Sequence, residues 1–133
     1  AQLEAFRTNL FDPRLKSFRM AYEAGVKVAM GSDAGCIVVP YDTAAIELEL
    51  MMKYGGMSAM EAIMITTKNA AETLGLGDKL GTIEKGKLAD IIVVDGNPLK
   101  DIKVLQSKEK LSLIIKEGKI CVNRQGLAVH RPG

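Results

Sequence analysis

Apolar residues recur at helical spacing over the first part of the chain and give way, near residues 75–81, to short β-branched runs separated by glycines. A boundary falls there, leaving 1–76 as one unit, 77–125 as a second and 126–133 as a tail. Asp12 followed by Pro13 predicts a helix start, because proline at the first helical position gives up only a donor that lacks a partner there anyway. The helix runs through Tyr22, and Gly25 predicts its stop. The next run, Val26-Lys27-Val28-Ala29-Met30, is short and β-branched and predicts a strand that ends in the loop Gly31-Ser32-Asp33-Ala34-Gly35. Helix, strand and glycine-rich loop in that order make half of an α/β unit.

Asp42 predicts the cap of a helix over 43–54, stopped by Gly55 and Gly56, with Leu48, Met51 and Met52 on one face. Ser58-Ala59-Met60-Glu61 matches a capping box, in which the Ser and Glu side chains satisfy each other's free backbone donors. Met60, Ile63, Met64 and Thr67 follow at helical spacing. They read as a core face and not as ligands, since methionine fills irregular gaps. Beyond the boundary, residues 81–87 and 88–98 predict strand and turn twice over, and the unbroken apolar run at 91–94 predicts a strand covered on both faces. Two further strands are predicted at 113–116 and 119–122. Ile83-Glu84-Lys85-Gly86-Lys87 and Ile115-Lys116-Glu117-Gly118-Lys119 echo each other, each placing Gly where a bulged hairpin needs positive φ.

Composition narrows the classes. With 133 residues, 47% hydrophobic and 26% charged, the chain is long enough for a core and reads as globular. Its 18 Lys and Arg are mixed among 16 Asp and Glu, and it has no Trp, three Phe and three Tyr, so neither a basic tract nor aromatic stacking predicts a nucleic-acid partner. No uncharged run approaches the roughly 18 residues that span a bilayer, and the opening AQLEAFR lacks the apolar core of an export signal. Cys36 and Cys121 show no CxxC spacing, which predicts a reduced, cytoplasmic setting.

Asp33 is the candidate for chemistry, because it stands on a glycine-flanked loop directly after a strand, where α/β barrels carry their active sites. Taken alone, Ser32-Asp33-Ala34-Gly35 reads more readily as a polar turn whose Asp satisfies local donors, and the motif by itself is a weak sign of chemistry. Asn69 reads as the cap of a short helix, and Asp90 as a turn or strand-edge residue tying down a backbone donor. Cys36 reads as a buried free thiol with no basic neighbour to activate it. His130, the one histidine, falls in the tail.

The ordered set changes the weight of these motifs. Gly31-Ser32-Asp33-Ala34-Gly35, Glu47-Leu48-Glu49-Leu50, Thr67-Lys68-Asn69-Ala70-Ala71 with Leu74-Gly75, and the stretch from Leu80-Gly81-Thr82 to Ile91-Ile92-Val93-Val94 together resemble the C-terminal third of the amidohydrolase superfamily, most like its imidazolonepropionase-like and prolidase-like branch. The resemblance covers about residues 20–122. It implies an α/β plus β fold: 1–76 as the last strand (26–30) and helices of a (β/α)8 barrel, and 77–125 as part of a β-sandwich built from both ends of a longer chain.

By the same resemblance, Asp33 is both metal ligand and catalytic group. It binds a catalytic Zn²⁺ or similar divalent metal and the attacking water, takes the water's proton and passes it to the leaving nitrogen, hydrolysing a C–N bond in an amide, cyclic amide or peptide. The other ligands of the superfamily, an HxH pair, a carboxylated Lys or Glu and two further His, have no counterparts here, so the chain is expected to hold no metal stably and to be inactive alone. A zinc site needs several such donors. Where many relatives carry Pro-His-Gly, this chain reads Pro40-Tyr41-Asp42, a departure that bears on substrate choice. The expected partners are a small amide or peptide substrate and, because bare strand edges promote pairing, a second copy or the parent chain. The competing expectation is a non-catalytic assembly or binding module that keeps the hydrolase scaffold and completes a partner chain.

Overall fold

The computed structural model describes Glu4, Thr8 and residues 11–35 and 40–126, with only the backbone at Asp42. Among these residues four α-helices come first: α1 (Asp12–Glu23), α2 (Ile46–Gly55), α3 (Ala59–Thr66) and α4 (Lys68–Thr73). Pro13 sits in the first turn of α1, as predicted, and Gly25 closes the helix at φ 79°. The Gly25 N–H donates to Tyr22 O and the Val26 N–H to Ala21 O, both at 3.0 Å, which are the paired bonds of a Schellman cap.

Helix α2 starts at Ile46, later than predicted, because Tyr41–Thr43 forms a 3-10 turn first. There the Thr43 N–H and hydroxyl both donate to the Pro40 carbonyl, at 3.2 and 2.7 Å, and this local closure delays the α-helix. The predicted cap at Asp42 involves a side chain outside the described residues. The capping box of α3 is present in full: the Glu61 N–H donates to Ser58 Oγ at 3.3 Å and the Ser58 N–H to Glu61 Oε2 at 2.7 Å.

The predicted methionine face of α3 is not its core face. Ala59, Ala62 and Ile65 are buried, while Met60 and Met64 are 50% and 40% exposed. Alanine lets two helix backbones come close, and the core cluster accordingly joins Ala59 and Ala62 to Leu48 of α2 and to Ile102, with Ile63 and Met52 packed against it. The larger methionines are displaced to the outside.

Ile102 opens a 3-10 helix (Ile102–Gln106) between the strands β1 (Ile91–Val94) and β2 (Leu111–Lys116), which pair with β3 (Lys119–Asn123) in an antiparallel sheet of order β1-β2-β3. Ile92, Ile114 and Val122 stand opposite one another across the three strands. The β2–β3 turn has positive φ at both Glu117 (51°) and Gly118 (76°), the signature of a two-residue type I′ turn, while the irregularities of register lie at Val93/Val94 and Ile114/Ile115. Gly86 also has positive φ (93°), but the expected strand before it does not form. Leu88 N–H instead donates to Lys79 O and the Lys87 ammonium to Thr82 Oγ1, folding the segment back on itself. Nor is β1 covered on both faces: Ile92 is 56% exposed. Among the described residues the outer edges of β1 and β3 meet no strand, and no helix is long and apolar enough to cross a membrane.

Candidate functional site

The expected strand at 26–30 carries no ladder among the described residues, since a ladder needs a neighbouring strand. Besides the Val26 bond back to α1, three contacts tie the segment to α3 and α4. The Lys27 ammonium pairs with the Glu72 carboxylate of α4, whose pKa it lowers through that hydrogen bond. The Asn69 carboxamide, also on α4, donates from Nδ2 to the Val28 carbonyl at 2.8 Å. The Met30 N–H donates to Ile65 O at 3.1 Å, near the end of α3.

Asp33 follows three positions later, exposed and in the left-handed region at φ 49°. Aspartate tolerates that conformation better than most residues because its short polar side chain bonds locally. The Ala34 N–H returns to Ser32 Oγ at 3.3 Å, and Gly35 continues the turn at φ 100°. A Cβ on Gly35 would lie 2.5 Å from the Tyr41 hydroxyl, so Tyr41, in the departing Pro40-Tyr41-Asp42 element, lies against Gly35 at the end of the loop that carries Asp33. A groove of about 330 Å³ runs along α1 between residues such as Leu15, Arg19 and Met20, and Asp33 is not among its lining residues.

The structure separates the other motif residues from this loop. Asp90 ties down a backbone donor, as predicted: its Oδ1 accepts from the Glu117 N–H at 2.7 Å and its Oδ2 from the Lys116 ammonium at 2.6 Å, pinning the β2–β3 turn. Asn69 is not a helix cap. Thr67 occupies the position before α4 and turns its hydroxyl back to Ile63 O, which leaves the Asn69 carboxamide for Val28. Cys36 and His130 lie outside the described residues.

The chain matches the model of the "Amidohydrolase family" over residues 5–121. The chain belongs to the amidohydrolase family. Among its relatives in that family, the Aspergillus niger ochratoxinase is 38% identical over 112 residues, covering 84% of this chain and 22% of that protein. Its crystal structure superposes with a TM-score of 0.79. The imidazolonepropionase of Thermoplasma volcanium is 34% identical, over 80% of this chain and 26% of its own length. A solved Xaa-Pro dipeptidase with bound methionine in its active site is 46% identical with a TM-score of 0.70, covering 80% of this chain and 25% of that one. The chain thus spans about a quarter of the length of these relatives.

A divalent metal at Asp33 is what the family resemblance implies. Among the described residues no three His, Cys, Asp or Glu side chains converge to hold one. A catalytic zinc takes about three protein ligands, so the described residues do not fit a metal by themselves, and Asp33 supplies one carboxylate on an open loop.

Proposed function

We propose that this chain is the C-terminal part of a metal-dependent amidohydrolase that hydrolyses C–N bonds in small amide, cyclic amide or peptide substrates. In this reading the barrel part ends near Leu76, the β part covers 77–125, and the chain is inactive alone. Asp33 is the carboxylate that the segment delivers to the reacting site and to a divalent metal, such as zinc, completed by residues outside the described set. A carboxylate so placed accepts a proton from water and returns it to the departing nitrogen, the ordinary work of a general acid–base group. Cysteines without disulfide spacing support a reducing, cytoplasmic setting.

One observation carries the reading: within a family match that spans 5–121, Asp33 stands on a glycine-flanked loop whose preceding segment is anchored by both side-chain and backbone bonds to the α3–α4 junction. The names of its relatives set the test. The full-length protein that carries this chain is assayed against a panel of Xaa-Pro dipeptides, N-acylated amino acids and cyclic amides, with methionylproline first. Turnover that is lost on chelation and absent from the isolated chain supports the proposal. Turnover by the isolated chain, or none by the full-length protein on any member of the panel, overturns it.

A further inference from the structure

We propose that Asn69 is a positioning residue for Asp33: its carboxamide, bonded to the Val28 carbonyl, fixes the segment that carries the Asp33 carboxylate to the reacting site. The inference rests on the reading of Asp33 given above. The residues before Asp33 have no strand beside them among the described residues, and their attachments at positions 27, 28 and 30 all lead to one place. In an extended chain the carbonyl of one residue and the N–H two residues on point the same way, which is how a strand presents itself to its neighbour. Val28 C=O and Met30 N–H form such a pair, so among the described residues the helix junction meets this side of the segment.

The break between α3 and α4 makes this possible. Thr67, at φ −119° and ψ −84°, leaves the helical region and redirects the chain, which brings the Ile65 carbonyl and the Asn69 side chain to face the same short segment. The three attachments are unequal. Lys27 and Glu72 are 59% and 31% exposed, and an ion pair that open to water contributes little. The Met30 bond is made by backbone alone. Asn69 makes the one half-buried side-chain bond of the three, across 41 positions of sequence. Loss of a single neutral hydrogen bond is a modest stability effect. Displacement of a reacting group by about 1 Å, in contrast, lowers rate by about a hundredfold.

The test uses the full-length protein and the best substrate of the panel above, with kcat and KM measured separately. Asn69→Ala is expected to lower kcat by about tenfold or more while KM stays within about threefold. The Met30 N–H, at the next anchor, is expected to exchange faster. Asn69→Ser, which keeps a shorter polar group at the half-buried position, replaces Asn69→Ala if that variant does not fold. The deciding comparison is made in an Asp33→Glu background, where the carboxylate is already displaced: there the loss of Asn69 is expected to cost less than about threefold, the non-additivity of two residues acting as one unit. A full penalty in that background, or a kcat within about twofold of wild type for Asn69→Ala while Asp33→Asn is inactive, overturns the role of Asn69 alone. Asp33→Asn with near-normal turnover removes both readings together.

Discussion

The Tyr22 hydroxyl donates to Glu61 Oε1 at 2.5 Å, joining α1 to the capping box at the start of α3. This bond, ahead of those from Ser58, lowers the Glu61 pKa to about 2. The same bond pushes the Tyr22 phenol up. Two helices remote in sequence are thereby held by one exposed pair.

Its pH dependence follows from the signs of the shifts. A carboxyl with a depressed folded pKa adds stability above its unfolded value of about 4.3, and that stability is lost as pH falls toward about 2. The Tyr22 contribution is present below about 10 and is lost as pH rises through the raised folded value. Tyr22→Phe is therefore expected to have a lower Tm than wild type at neutral pH, with the gap closing between about pH 4 and pH 2. Thermal unfolding at fixed protein concentration checks this. A gap that is constant over that range counts against the pair.

Asp33→Asn in the full-length protein is expected to leave the Tm near that of wild type while lowering kcat on the order of a thousandfold. Retention of activity within about tenfold identifies Asp33 as a turn residue only.

Gly81 is expected to be far less replaceable than Gly86, although both have positive φ, 90° and 93°. A Cβ at Gly81 would meet Ala71 Cβ at 2.8 Å and the Thr67 and Lys68 backbone at 3.0 Å, whereas at Gly86 nothing lies within 4 Å. Gly86→Ala is expected to cost about 1 kcal/mol of backbone strain, and Gly81→Ala about 2–4 kcal/mol with overpacking added. Chemical denaturation of the two variants gives the comparison, and equal costs count against the packing argument.

The isolated chain is expected to self-associate at micromolar concentration, since the edges of β1 and β3 meet no strand among the described residues and Ile92, Met60 and Met64 stand exposed. Sedimentation velocity across a concentration series is the measurement. A single monomeric species with one cooperative unfolding transition means that these apolar surfaces need no cover.

What the sequence disclosed is local grammar. The Ser58 box and the stops at Gly25 and Gly56 are written in residues a few positions apart, and each forms as expected; the tie made by Asp90 also forms, though its partner Glu117 lies 27 positions on. The misreadings concern partners that are distant or missing. Residues 26–30 have the composition of a strand but form no ladder, because β-branching cannot supply a neighbour. Methionine spacing on α3 marked one face as core, yet the small residues Ala59 and Ala62 decided which side reached α2. Asn69 looked like a cap because its partner, Val28, lies 41 residues away. The candidate site was visible in one position, Asp33, and its support was not.

Helix α4 is six residues long, roughly 9 Å, and carries the 27–30 segment on Asn69 and Glu72 while its buried Ala71 lies under Gly81. A helix this short and this thinly padded restricts how the chain can drift over generations. Any enlargement at position 71 closes the space that Gly81 uses, and any Cβ at 81 strikes the helix that steadies the Asp33 loop. Descendant sequences are therefore left with small residues at 71 and glycine at 81, where the positive φ and the Thr67 and Lys68 backbone disfavour a side chain whatever stands at 71.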